Sequence, residues 1–215
     1  MNKKALVLDL ELTCWDKPTD QIPEIIQIGI VEIDLINRTI SRKKMMYVKP
    51  EKTEVSEFCT SLTGITKKQV YKQGLSYDKA IEILNDKFGF KNKTVFAWGH
   101  DDKAFKDGIN NYINLSALYS MMKMTNKKYG LKMALKEENI EFEGNAHDAL
   151  VDAENTAVLL LKILDSVKLK EPTEKICKNC IHFAGVFDSC LSEDSTISKT
   201  SPSSNCEFWE IKNGL

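Results

Sequence analysis

"LVLDLELTCW", residues 6–15, begins like the interior of a protein and ends like a binding site. With Ala5 ahead of it, the apolar run is short, starts almost at the N-terminus and reads as a strand buried on both faces. Side chains alternate along a strand, so Asp9 and Glu11 leave one face together while Leu10 and Leu12 leave the other. Two carboxylates side by side at the end of a buried strand repel, and both pKa values rise unless a positive charge lies between them. A divalent cation meets that need. A hydrated strand end is the plain alternative, and this stretch alone leaves the two open.

The rest of the composition narrows the choice. With 215 residues, 42% of them hydrophobic, the chain can bury a proper core. Lys and Arg total 30 against 31 acids, a formal charge of -1, so no overall field favours a polyanionic partner and any contact with nucleic acid must be local. The first apolar stretch is broken by Asp9 and Glu11, too short and too acidic for a signal peptide or a membrane span. The expectation is a cytoplasmic protein whose 6 cysteines are reduced, so that clustered ones suit metal binding or catalysis better than disulfides.

Outward from the first strand, "EIIQIGIVEIDL" (24–35) and "TISRKKMMYVKP" (39–50) predict a hairpin and, with residues 5–12, an antiparallel three-stranded meander. From Val55 the pattern turns helical, with Gly64, Gly74 and Gly89 as terminators. "TVFAWG" (94–99) predicts a buried strand and "DDKAFKDGINNY" (101–112) a helix opened by acids. Helices are expected around 115–124 and 131–139, and a long one over 147–168. Strands followed by strands alternating with helices make an α/β domain with a mixed sheet. No internal repeat occurs, and neither GxxxxGK[ST] nor GxGxxG supports a glycine-rich nucleotide cradle. Past residue 168 a charged linker carrying Pro172 (169–176) leads to a Cys-rich module (177–215), whose Ser/Thr-rich stretch 193–205 has little to bury.

Other acids arrive at the same end of the sheet. "TVFAWGHDD" delivers Asp101 and Asp102 to a second strand end, where functional residues of open α/β sheets gather and where Asp also serves as a helix N-cap. "AHDALVDA" delivers His147, Asp148 and Asp152 to the start of the last helix, where acids also answer the helix dipole. Ala149, Ala153 and Ala157, every fourth residue, let that helix approach the sheet closely.

Asp9-x-Glu11, WGxxD at Trp98, Gly99 and Asp102, and HxAxxDA at His147, Ala149, Asp152 and Ala153 resemble the three motifs of the DEDDh 3′→5′ exonucleases. "DLELTCW" and "FCTSLTGIT" (58–66) are similar in particular to the branch of histone-mRNA and small-RNA trimming enzymes and of the bacterial KapD type. The resemblance runs over residues 4–168 and departs from the branch at Asp101, where an aromatic is common. It implies an RNase H-like mixed five-stranded sheet flanked by helices. It implies a two-metal hydrolase with Asp9, Glu11, Asp102 and Asp152 as catalytic ligands of two Mg²⁺ or Mn²⁺ and His147 as general base. Two such ions, about 4 Å apart, supply a nucleophile and neutralise a phosphate, and hard oxygen donors suit them. The substrate implied is the 3′ end of single-stranded RNA or DNA, released as nucleoside 5′-monophosphates. Leu62, Thr63, Gly64 and Ile65 would line the terminal nucleotide's pocket with the backbone around Leu10 to Leu12 opposite, reading any base. Lys123, Lys127, Lys128 and Lys132 are candidates for a phosphate track or simply a solvated face.

Cys177, Cys180, Cys190 and Cys206 offer four soft ligands for one structural Zn²⁺, with His182 as a possible substitute and contact with RNA or a protein partner as a role. Two rival readings stand beside the nuclease: a non-catalytic nucleic-acid-binding or adaptor protein on an exonuclease scaffold, and a polymerase-associated proofreading subunit.

Overall fold

The computed structural model describes residues 4–166 and the backbone of two short strands further on. The chain divides into two units at Ser166. In the first, β1 (Lys4–Leu12), β2 (Ile25–Asp34), β3 (Thr39–Tyr47), β4 (Val95–Ala97) and β5 (Tyr112–Asn114) form one sheet in the order β3-β2-β1-β4-β5. β1 pairs antiparallel with β2 and β2 with β3, the expected meander, whereas β4 and β5 run parallel to β1. The sheet is mixed and five-stranded, as the resemblance implies.

β1 is the spine because both of its faces are apolar. Leu6, Leu8 and Leu10 join a core with Ile28, Ile30 and Leu84 under helix α3 (Tyr77–Ile83). Ala5 and Val7 join a second core with α4 (Leu115–Met122), α5 (Leu131–Glu137) and α6 (Ala149–Ser166). A third, smaller core of Ile26, Val55, Cys59, Ile65 and Val70 seats α1 (Glu57–Thr63) and α2 (Lys67–Gln73) beyond the end of β1. Caps explain where these short helices start: Ser56 Oγ accepts the Cys59 N–H, Thr66 and Gln69 form a reciprocal capping box, and Ser76 Oγ accepts the Lys79 N–H. Gly64, at φ 72°, closes α1 in the left-handed conformation that glycine adopts freely.

Two expectations fail in detail. Residues 101–112 do not form a helix: a single 3₁₀ turn, Asp101–Ala104, is followed by a loop whose Gly108 sits at φ 66°. Phe105 anchors in the α3-side core, and Tyr112 already belongs to β5. The pairing of β5 with β4 gives the end of this stretch, Asn111 and Tyr112, partners outside it. The long helix begins at Ala149, so His147 and Asp148 lie on the loop before it.

At the end of the sheet away from Asp9, Glu32 is fully buried in β2 and receives Lys4, Arg42, Lys93 and the Ser41 hydroxyl. These partners, the Arg42 bond foremost, hold its carboxyl well below the usual range against its burial. In the second unit Phe183–Ala184 pairs antiparallel with Ser189–Cys190. Cys177, Cys180 and Cys206 lie outside the described residues, as do the linker and the side chain of Cys190. Among the described residues no helix is long and apolar enough to cross a membrane.

Candidate active site

Asp9 and Glu11 continue the row of Ala5 and Val7, so strand alternation aims them at α6. What brings α6 down on them is β2. In the β1–β2 register Gly29 lies across from Asp9 and Gln27 across from Glu11. The missing side chain of Gly29 leaves room for the Ala149 carbonyl: a Cβ there would lie 2.0 Å from its oxygen. Gln27 Oε1 accepts the Ala149 N–H at 2.8 Å. Ala149, Ala153 and Ala157 are each fully buried, as their spacing predicts, and carry the helix across the sheet.

The loop ahead of α6 is tied to it. Asp148 Oδ1 accepts from the N–H groups of Leu150 and Val151, capping the helix. Buried Asn155 clasps Glu143 on both sides, its Oδ1 accepting that residue's N–H and its Nδ2 donating to the carbonyl. His147 takes a left-handed φ of 65°, and its N–H donates to Asp152 Oδ2 at 3.0 Å. The outcome is convergence: ligand-capable atoms of Glu11, His147 and Asp152 lie within 4.8 Å of one another.

Charge crowds this corner. Burial, then Asp101, Asp152, Glu11 and Asp148, push the Asp9 carboxyl well above its ordinary range. Burial and the charges of Asp152, Asp148 and Asp101 push Glu11 up to about 7. Asp152 is raised by burial, a rise opposed by the bond from the His147 N–H and by the nearby charge of Lys132. Carboxylates that destabilise one another in the protein alone, at a corner exposed to solvent at His147, are a donor set suited to hard divalent cations.

The adjacent acids of WGxxD play different parts. Trp98 Nε1 donates to the Tyr129 carbonyl, and the Tyr112 hydroxyl donates to that of Gly99, which fixes the turn. Asp101 bears on Asp9 and Glu11, and is itself pushed up to about 6 by burial and by Asp102. Asp102, the residue of the motif, has its Oδ1 buried and without a hydrogen-bond partner among the described residues.

The candidates for substrate contact separate. Leu10 and Ile65 are core residues with 8% and 3% exposure, so only their backbones can face a nucleotide. Leu62 is open at 43%, Gly64 is exposed, and the Thr63 hydroxyl donates to the Cys59 carbonyl while accepting the Ile65 N–H. Leu12 packs at the edge of the α3-side core. The Cys59 thiol donates to the Leu12 carbonyl, which joins α1 to the end of β1. In the lysine run, Lys123 is engaged by Glu138 at 2.6 Å, Lys127 lies over the Tyr129 ring and Lys132 over that of Phe142. A cavity of about 600 Å³ beside Glu24, Val48, Tyr77 and Phe105 lies on the α3 side, lined by residues other than these acids.

Sequence reasoning missed Gln27, Gly29 and Asn155. A glycine within the β-branched run of β2 was a signal, since it often marks a close backbone approach.

Comparison with known proteins adds the following. A family described as exonuclease, of the RNase T type, matches residues 6–160. The ERI1 exoribonuclease 2 of Danio rerio is 28% identical over 192 residues, covering 74% of this chain and 34% of that protein. The chain thus spans about a third of the length of that relative. The probable 3'-5' exonuclease KapD of Bacillus subtilis (strain 168) is 32% identical over 178 residues, 76% of this chain and 85% of that one. Among solved structures, the nuclease domain of 3'hExo, a DEDDh family member bound to rAMP, superposes with a TM-score of 0.70 at 23% identity, over 77% of this chain and 93% of that one.

Proposed function

The chain belongs to the RNase T exonuclease family, and from that membership we propose that it is a metal-dependent hydrolase that removes nucleoside 5′-monophosphates from the 3′ ends of single-stranded RNA or DNA. The observation that carries the reading is the approach of Glu11, His147 and Asp152 to within 4.8 Å, across more than a hundred residues of sequence and beside Asp9. Domain 1–168 holds every residue the chemistry calls for.

Asp9, Glu11, Asp152 and Asp102 are the residues that would hold two Mg²⁺ or Mn²⁺; the orphaned oxygen of Asp102 and the mutual repulsion of the other three support that assignment. Such ions, when bound, supply an activated water and neutralise the phosphate. His147, exposed beside Glu11 and Asp152, takes the proton from the attacking water, and a neutral imidazole is suited to this near pH 7. Its backbone bond to Asp152 keeps the loop in place while leaving the ring free to act. Leu62, with the backbone of residues 63–65 and 10–12, would hold the terminal nucleotide by shape and stacking, which reads no particular base. Lys132, whose charge reaches Asp152, would meet the phosphate backbone near the site, with Lys127 and Lys128 as further candidates.

The test is direct: 3′- and 5′-labelled RNA and DNA oligomers incubated with Mg²⁺ or Mn²⁺. Stepwise shortening from the 3′ end supports the reading, and intact oligomers with either ion refute it.

A further inference from the structure

Given the exonuclease reading above, we propose that Gln27 is a positioning residue: its side-chain carbonyl fixes the first turn of α6 on β2 and so sets where Asp152 and His147 stand relative to Asp9 and Glu11.

Gln27 is a polar side chain with 1% exposure in a strand otherwise rich in isoleucine and valine. It lies directly across from Glu11 and spends its Oε1 on the N–H of Ala149, the residue that opens α6. The first N–H groups of a helix have no partner inside it and are usually met by a local cap. Asp148 meets those of Leu150 and Val151, but that of Ala149 is met by the sheet. A bond between residues 122 positions apart therefore joins α6 to β2, the strand paired with the carrier of Asp9 and Glu11.

Its effect differs from that of the packing around it. The alanine row and Gly29 set how close the helix comes, but smooth apolar contact is non-directional and tolerates sliding and rotation. A hydrogen bond with a fixed donor and acceptor has one good geometry. Asp152 stands one turn along from Ala149, its own N–H donating to the Asp148 carbonyl and its carboxylate holding the His147 N–H. A shift at Ala149 is therefore passed to both functional side chains, where displacements of about half an ångström matter. A hydrophobic residue of similar size would pack in the same space but leave the Ala149 N–H buried and unpaired.

The experiment compares full-length Gln27→Leu, which removes the acceptor, with Gln27→Glu, which keeps it, and with Ile163→Val, a destabilising change far along α6. Three quantities are read: Mn²⁺ affinity by electron paramagnetic resonance without substrate, thermal midpoint, and kcat and KM on a 3′-labelled single-stranded oligomer. Gln27→Leu is expected to weaken Mn²⁺ binding and lower kcat by about tenfold or more, as loss of a supporting contact does at metal sites, with KM little changed. Gln27→Glu is expected to bind Mn²⁺ at least as well as the parent, and Ile163→Val to melt earlier with Mn²⁺ affinity unchanged. Should Gln27→Leu not fold, Gln27→Asn, one methylene too short to reach Ala149, takes its place with the same expected loss. Parental Mn²⁺ affinity in the folded Leu or Asn variant, or equal damage in Gln27→Glu, overturns the proposal. A parent protein that binds Mn²⁺ yet shortens no oligomer overturns the nuclease reading and leaves the Mn²⁺ comparison intact.

Discussion

The main-chain N–H of His147 donates to the Asp152 carboxylate at 3.0 Å, so the two residues are joined by a bond that does not involve the imidazole. His147→Ala should therefore keep the loop, retain Mn²⁺ and oligomer binding, and lose about 10²- to 10⁴-fold in turnover, the usual worth of a general base. Because φ there is 65°, His147→Asn, which tolerates that conformation, serves as the backbone control. Single-turnover rates at saturating Mn²⁺ check this; parental rates in both variants remove His147 from the chemistry.

Asp152→Asn separates metal binding from folding. An amide can still accept the His147 N–H, but one repelling charge leaves the cluster around Asp9 and Glu11. The metal-free variant is expected to melt at or above the parental temperature, with Mn²⁺ raising its midpoint far less. Calorimetry with and without Mn²⁺ decides; undiminished Mn²⁺ stabilisation would contradict the ligand assignment.

Stability should also depend on pH in a metal-sensitive way. Glu11 rises from 4.5 to about 7 on folding, so the folded state holds a proton that the unfolded state has released, and stability falls as pH rises between those values. Asp9 and Asp101 shift in the same direction. Divalent cations bind the deprotonated form, so the Mg²⁺-induced rise in thermal midpoint should be larger at about pH 8 than at about pH 5.5. Equal rises at the two pH values would show that these carboxylates are not where the ion binds.

Gly29→Ala is expected to be costly out of proportion to one methyl. The added Cβ would lie 2.0 Å from the Ala149 oxygen and 2.4 Å from the Leu150 nitrogen, both backbone atoms that no rotamer change can move. Overpacking of this kind costs about 1–3 kcal/mol, occasionally more. Lifting α6 should also abolish most activity in whatever fraction stays folded. Urea denaturation beside an activity assay tests both halves, and a variant within about 0.5 kcal/mol of the parent would mean that the helix has more freedom than the contact implies.

Asp101 and Asp102 can be told apart by their amides. Asp102→Asn should lose Mn²⁺ binding and activity, whereas Asp101→Asn, which only relieves repulsion on Asp9 and Glu11, should keep Mn²⁺ binding and lower the pH at which those carboxyls ionise. Mn²⁺ titrations of the pair decide, and the reverse pattern would transfer the ligand role to Asp101.

Much of this was legible in the chain itself. Acids interrupting apolar stretches at Asp9, Glu11 and Asp152 are conspicuous because burial of an unpaired charge is expensive, and β-branched runs announced the meander. β5 was hidden because its three residues, Tyr112 to Asn114, give no visible alternation and lie behind two acids that imitate a helix start. Gln27 could not be read at all: its use depends on a helix 122 residues downstream. The side chains of Leu10 and Ile65 lie in the core, which their sequence context could not announce, since an apolar residue beside a loop reads the same whether it faces a base or a core.

The alanine row of α6 has a consequence for the life of the polypeptide. The segment that brings Asp152 to this corner is the last helix of the first unit to leave the ribosome, so a nascent or truncated chain that stops short of Ala149 carries Asp9, Glu11, Asp101 and His147 but neither Asp152 nor the helix that seats it. On the proposed function, a chain would therefore gain activity only once synthesis has passed α6.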